Sequence, residues 1–216
     1  AGKYSTASDV DECTACPKGK YVEETGSKNE NECKKCEAGR FVGEAGSDNV
    51  TDCIECAAGS ITDALTGAGA TTCTPCIAGK YSTASNVKSC SDCGKGKYGV
   101  KVGAHNESVA CIDCPKGRYV KETGKSECMP CPAGKYINVT GSNSKDDCIL
   151  CSVGQFAATD GAPECVDCPA GKYRNNTGKD FCPICPPGSK TNKGILSGAT
   201  WCTRCDAGQF SLSSAV

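Results

Sequence analysis

No window of this chain carries the apolar stripe of an amphipathic helix of useful length, and no apolar run approaches the 18 residues of a membrane span. What recurs is a short unit. Three residues after the second cysteine of each C-x-x-C pair stands a glycine, in all eleven cases: Gly19, Gly39, Gly59, Gly79, Gly96, Gly117, Gly134, Gly154, Gly171, Gly188 and Gly208. Such a glycine points to a turn with positive φ or to a close backbone approach. Two residues further on comes an aromatic in Tyr21, Phe41, Tyr81, Tyr98, Tyr119, Tyr136, Phe156, Tyr173 and Phe210, with Ile61 and Lys190 as exceptions. Tyr4 holds the same place near the start, so all seven tyrosines share one position. That regularity predicts a packing role, the ring lying over the disulfide of its own unit or of the next. A second turn follows at sequences such as Glu24-Thr25-Gly26, Glu44-Ala45-Gly46, Glu122-Thr123-Gly124 and Asn176-Thr177-Gly178. Each unit therefore reads as a short extended piece carrying the aromatic, a glycine turn and a short return, one hairpin-like loop per unit.

The period is set by cysteine. All 22 cysteines fall in pairs, beginning at Cys13, Cys33, Cys53, Cys73, Cys90, Cys111, Cys128, Cys148, Cys165, Cys182 and Cys202. Steps of 17 to 21 residues separate the pairs, and the length changes fall between pairs, never inside one. The resulting division is a partial repeat over 1–13, then repeats 1 to 10 over 14–33, 34–53, 54–73, 74–90, 91–111, 112–128, 129–148, 149–165, 166–182 and 183–202, then a partial repeat over 203–216. Leu, Ile, Val and Phe make up only 29 of the 216 residues, too few for a large core. The expected fold is small and disulfide-rich: an elongated tandem array of short β-hairpin and loop units, with little helix and no large hydrophobic core. In such an array each unit touches only its neighbours, and reduction unfolds it.

Charge narrows the function classes. With 24 basic and 25 acidic residues intermixed, the net charge is −1, and neither a basic face with interleaved aromatics nor a basic amphipathic helix is present. No nucleic-acid partner is expected, and no membrane contact within this stretch. The spacing Cys13-x2-Cys16-x16-Cys33-x2-Cys36 falls within the range of a four-cysteine zinc site, the strongest competing reading. Against it, eleven pairs cannot be shared two per metal without a remainder. Redox catalysis would need a low-pKa thiolate at a helix start beside a parallel sheet, and neither element is visible. The one histidine, His105, lies in a polar loop, and no hydrolase motif occurs, so no catalytic residue, metal ligand or cofactor is assigned. Asp9-Val10-Asp11-Glu12-Cys13 is similar to the start of a calcium-binding EGF-like module, but the cysteine spacing that follows differs. Trp201, the single tryptophan, is expected to be a half-packed surface residue rather than a partner anchor. Glycosylation sequons stand at Asn49, Asn106, Asn138 and Asn175, all in loops between pairs.

Most units follow C-x-x-G-x-[YF]-(loop)-C-x-x-C, and Cys168-Pro-Ala-Gly-Lys-Tyr173 shows it in full. This pattern resembles the ephrin-receptor-like cysteine-rich repeats and the first module of tumour-necrosis-factor-receptor repeats, over nearly the whole chain. The resemblance implies that the second cysteine of each pair bonds the first of the next: Cys16–Cys33, Cys36–Cys53, Cys56–Cys73, Cys76–Cys90, Cys93–Cys111, Cys114–Cys128, Cys131–Cys148, Cys151–Cys165, Cys168–Cys182 and Cys185–Cys202. Cys13 and Cys205 would then bond cysteines outside this sequence, which would be a window cut from a longer array. The expected function is that of a structural extracellular spacer: a glycosylated, disulfide-stapled rod from a longer filament, stalk or cell-coat protein, secreted or at the cell surface. Its partners would be other copies of itself or other extracellular matrix or filament proteins, together with N-linked glycans. The alternative is a ligand-binding ectodomain of a cell-surface receptor or adhesion protein.

Overall fold

The computed structural model describes residues 1–8 and 11–211. They fall into two compact units. The first comprises Ala1–Cys93, Gly99–Ile112 and Gly124–Ser126, and the second Gly94–Tyr98, Asp113–Thr123 and Glu127–Val216.

Both units are built from two-stranded antiparallel hairpins of two or three residues per strand. In the first, Lys3–Tyr4 pairs with Thr14–Ala15, Lys20–Tyr21 with Lys34–Lys35, Arg40–Phe41 with Ile54–Glu55, Ser60–Thr62 with Cys73–Pro75, and Lys80–Tyr81 with Ser91–Asp92. In the second, Arg118–Tyr119 pairs with Met129–Pro130, Lys135–Tyr136 with Ile149–Leu150, Gln155–Phe156 with Val166–Asp167, and Ser189–Thr191 with Cys202–Arg204. Each hairpin joins the segment after the turn glycine of one repeat to the residues between the two cysteines of the following pair, and the two three-residue hairpins take in the first of those cysteines as well.

A four-residue turn starts each aromatic segment. The amide of Lys20 donates to the carbonyl of Pro17, and the same bond recurs at Arg118 to Pro115 and Ser189 to Pro186. A turn of this type needs positive φ at its third residue, which is Gly19 (+81°), Gly117 (+81°) or Gly188 (+73°). Among the described residues, helix is confined to single turns: the 3-10 turns Glu30–Glu32, Val50–Asp52 and Lys145–Asp147, and the α-helical turn Glu107–Ala110. Each leads directly into the first cysteine of a pair.

Among the described residues, neither unit has a single large interior. The buried clusters are small and repeat-sized, each centred on one disulfide, as in Cys16, Val22 and Cys33 with Tyr4 packed against them. Repeats 3 and 10, which lack the aromatic, close differently. There the buried hydroxyls of Thr62 and Thr191 donate to the carbonyls of Leu65 and Gly194 within their own loops. Across those loops the side chains of Asp63 and Asn192 accept from the amides of Thr71 and Thr200.

Candidate functional site: the seam between repeats

The recurrent chemistry of this chain lies where one repeat meets the next. Ten S–S bonds join Cys16–Cys33, Cys36–Cys53, Cys56–Cys73, Cys76–Cys90, Cys93–Cys111, Cys114–Cys128, Cys131–Cys148, Cys151–Cys165, Cys168–Cys182 and Cys185–Cys202, each closing a loop inside one repeat. Cys13 is an exposed free thiol and Cys205 a half-buried one. With twenty sulfurs bonded in pairs, the Cys13–Cys36 spacing holds no four-thiolate set, since Cys16, Cys33 and Cys36 are all in disulfides.

Backbone bonds then tie each repeat to its successors. The amide of Cys16 donates to the carbonyl of Gly2, Cys36 to Gly19 and Cys131 to Gly117. Val22 donates to Ser47, Val42 to Ala70 and Val120 to Ser142, all between adjacent repeats. The second-turn glycine points backward: Gly46 donates to Cys16, Gly141 to Cys114 and Gly161 to Cys131, at 2.8 Å each.

Contact does not stop at the adjacent repeat, as a nearest-neighbour array would require. A Cβ built on Gly19 would lie 2.3 Å from the Gly69 carbonyl oxygen, and one on Gly117 2.0 Å from that of Gly161, in each case two repeats away. In repeat 4, where the second-turn glycine is missing, the Ser85 hydroxyl donates to the Gly39 carbonyl at 3.0 Å, 46 residues distant. Glycine thus serves both purposes open to it, turn conformation and close approach, and the bare α-carbon is what admits a backbone from two repeats on.

Five of the aromatic rings settle over the next repeat's disulfide rather than their own. Tyr4 packs on the Cys16–Cys33 cluster, Tyr21 on Cys36–Cys53, Tyr81 on Cys93–Cys111 and Tyr98 on Cys114–Cys128, while Tyr119 is buried with Cys131, Ile137 and Cys148. Two further buried positions belong to the seam and are not evident in the motif. One follows the aromatic: Val22, Val42, Thr62, Ser82, Val120, Ile137, Ala157, Arg174 and Thr191. Strand alternation is the signal for it, since a residue next to a half-exposed ring must face the other way. The other follows the second-turn glycine, where the small residues Ser27, Ser47, Ala70, Ala104, Ser142 and Ala199 are buried, whereas Lys125 and Lys179 in the same place are exposed. Arg174 is held at the seam by donating Nε to the Phe181 carbonyl at 2.8 Å, with its guanidinium 4.6 Å from the Phe181 ring centroid.

The remaining sequence candidates lie at the surface. Asn49, Asn138 and Asn175 are exposed, Asn106 is half-buried, and His105 is exposed. Trp201 is 55% exposed. The acidic stretch before Cys13 is described only in part, because Asp9 and Val10 lie outside the described residues, as do residues 212–216 of the last partial repeat. Lysine–carboxylate pairs cross several hairpins, among them Lys20–Glu30, Lys80–Asp92 and Lys97–Asp113 at 2.7–2.8 Å, all solvent-facing and worth about 0–1 kcal/mol each. At Asp63, partial desolvation acts upward on the carboxyl. The bonds it accepts from the Thr71 hydroxyl and from the Thr71 and Thr72 amides outweigh this and hold the group below its ordinary value. Among the described residues, no helix is long and apolar enough to cross a membrane.

Four segments of the chain, residues 2–53, 64–109, 105–148 and 154–200, match the family model described as "Tyrosine-protein kinase ephrin type A/B receptor-like". Comparison with curated protein sequences finds no match. Disulfide-rich repeats of this kind imply a protein outside the cell or on its surface. Tiled by four such matches and stapled by ten disulfides in tandem units, the chain belongs to the ephrin-receptor-like cysteine-rich repeat family.

Proposed function

We propose that this chain is a structural extracellular spacer, a glycosylated and disulfide-stapled array from a longer filament, stalk or cell-coat protein. The observation that carries this reading is the cysteine-to-glycine backbone bond, which recurs from Cys16–Gly2 to Cys205–Gly188 whatever the loop sequences between. Bonding that is indifferent to loop identity serves continuity of the array, and a non-catalytic role follows from the same economy. The surface dents support it too: the one formed by Gly39, Arg40, Glu55, Ser85 and Asn86 holds about 280 Å³ and is open and mostly polar, unlike an enclosed ligand site. Its partners are then further copies of itself or other matrix and filament proteins.

Small-angle scattering on oxidised arrays of four, seven and ten repeats tests the reading. A maximum dimension that rises in proportion to repeat number is expected. A radius of gyration that grows only as a compact globule's does, roughly as the 0.38 power of length, refutes it.

One observation favours the alternative, a ligand-binding ectodomain. Repeat 10 exposes Ile195 (80%), Leu196 (65%) and Trp201 together, an apolar loop suited to an interface. Under that reading, labelled chain binds cell surfaces saturably and a double Ile195→Ser, Leu196→Ser variant does not. Under the spacer reading neither binds saturably.

A further inference from the structure

Two of the four sequon asparagines are engaged in a way the other two are not. Asn49 sits immediately before the turn Val50–Asp52, and its Oδ1 accepts from the Thr51 amide at 2.9 Å and from the Thr51 hydroxyl at 2.8 Å. Asn106 sits before Glu107–Ala110, and its Oδ1 accepts from the Val109 amide at 2.9 Å and the Ser108 hydroxyl at 2.8 Å. In both, the hydroxyl is that of the sequon's own third residue. The amide nitrogen Nδ2, the atom that would carry sugar, donates to no other described residue in either case. Asn29 occupies the matching place in repeat 1 without a sequon, and there Nδ2 is tied to Glu32 Oε1 at 3.1 Å. The nitrogen is thus tethered where the sequence offers no acceptor and left open where it does.

We infer that Asn49 and Asn106 each do two jobs at once: Oδ1 holds the turn that leads into the disulfide, while Nδ2 carries an N-linked glycan. In the coupling, one Nδ2–H bond is replaced by a bond from Nδ2 to the sugar's anomeric carbon. The oligosaccharide comes from a lipid-diphosphate donor, whose diphosphate leaves with the bonding electrons, and the proton passes to solvent. The product remains a planar amide with its carbonyl oxygen intact, so the turn keeps its acceptor. Asn138 and Asn175, exposed residues that begin no such turn, have no second job. This inference rests on the glycosylated reading above and adds a structural role to two of its sites.

The test uses the full chain secreted from eukaryotic cells, with site occupancy read by glycopeptide mass and local order by hydrogen exchange at the Thr51 amide. Asn49→Asp and Thr51→Ala should each lose the glycan at this site and keep the backbone amide of residue 51 protected, because an Oδ1 acceptor remains. Asn49→Ala should lose the glycan together with about fivefold of that protection. Equal protection in Asn49→Asp and Asn49→Ala, or lower protection in occupied than in enzymatically deglycosylated chain, overturns the inference. Sugar at Asn138 and Asn175 but none at Asn49 and Asn106 also overturns it and leaves the glycosylated reading standing. Sugar at none of the four overturns the glycosylated reading itself.

Discussion

Replacing Gly117 by alanine separates the two reasons for glycine at the repeat turn. The backbone there has φ of +81°, and an L-residue in that region costs roughly 1–2 kcal/mol, offset by about 0.4–1 kcal/mol from the stiffer unfolded chain. Conformation alone therefore predicts a loss of about 1 kcal/mol. The added methyl would also stand 2.0 Å from the Gly161 carbonyl oxygen, where unstrained carbon–oxygen contacts lie at about 3.3–3.6 Å. Repeat 8 must retreat by more than about 1 Å to admit it, which breaks the 2.8 Å bond from the Gly161 amide to the Cys131 carbonyl. Overpacking of this sort costs about 1–3 kcal/mol, and the broken bond about 0.5–1.5 kcal/mol more. The expected loss for Gly117→Ala is thus about 3–5 kcal/mol.

Gly194, at the tip of a loop, is the control. It has φ of +61°, and an added Cβ meets nothing within 4 Å. Gly194→Ala should cost only about 1 kcal/mol. Denaturant unfolding under oxidising conditions gives the totals, and hydrogen exchange at the Gly161 amide reports the breach two repeats away. Equal losses in the two variants, with Gly161 still protected in Gly117→Ala, would refute the claim that the second-neighbour approach selects this glycine.

Three other outcomes follow from the same geometry. Tyr119→Ala, which removes a ring buried against Cys131, Ile137 and Cys148, should destabilise repeat 7 by about 3 kcal/mol and speed exchange there more than in repeat 6, as residue-resolved exchange would show. A Cys131→Ala, Cys148→Ala double variant should lose about 2–5 kcal/mol and render repeats 5 and 6 as well as 7 sensitive to protease, because Cys131 also donates to Gly117 and Gly141 lies against Gly96; nicking confined to repeat 7 would argue against coupling. The Asp63 carboxyl is depressed in the folded chain, so its contribution is complete above the ordinary value of 3.8 and is lost as the pH falls through the lower folded value. NMR titration should place its midpoint below 3.8, with Thr71 and Thr72 amide shifts following it; a midpoint at or above that value sinks the assignment.

How much of this could be read beforehand depends on which signals a single repeat can carry. Gly19 and its equivalents, and the tyrosines two residues on, are legible because one residue type fills one place at a fixed distance from cysteine. The buried residue after the ring is not, because Val22, Thr62, Ser82 and Arg174 share a direction rather than a chemistry, and only the two-residue alternation of the strand relates them. Whether Tyr21 covers its own disulfide or the next is likewise undetermined by spacing. The hairpin decides it, by pairing Tyr21 with Lys34, beside the start of repeat 2. The approach of Gly161 to Gly117 leaves no mark at all, since positive φ already accounts for both glycines.

That hidden contact bears on how the array holds together. The Gly46 amide donates to Cys16, the Cys16 amide to Gly2, the Gly2 amide to Val22 and the Val22 amide to Ser47, so one connected set of peptide groups spans three successive repeats. Within it the disulfides close loops inside single repeats, whereas every bond in the set runs between repeats. An isolated repeat would therefore keep its staple and lose its partners, leaving the amides of buried residues such as Val22 open to water. A pair of repeats would still lack the backbone that fills the space above Gly2 or Gly19. Three consecutive repeats are the shortest stretch in which one such seam is complete.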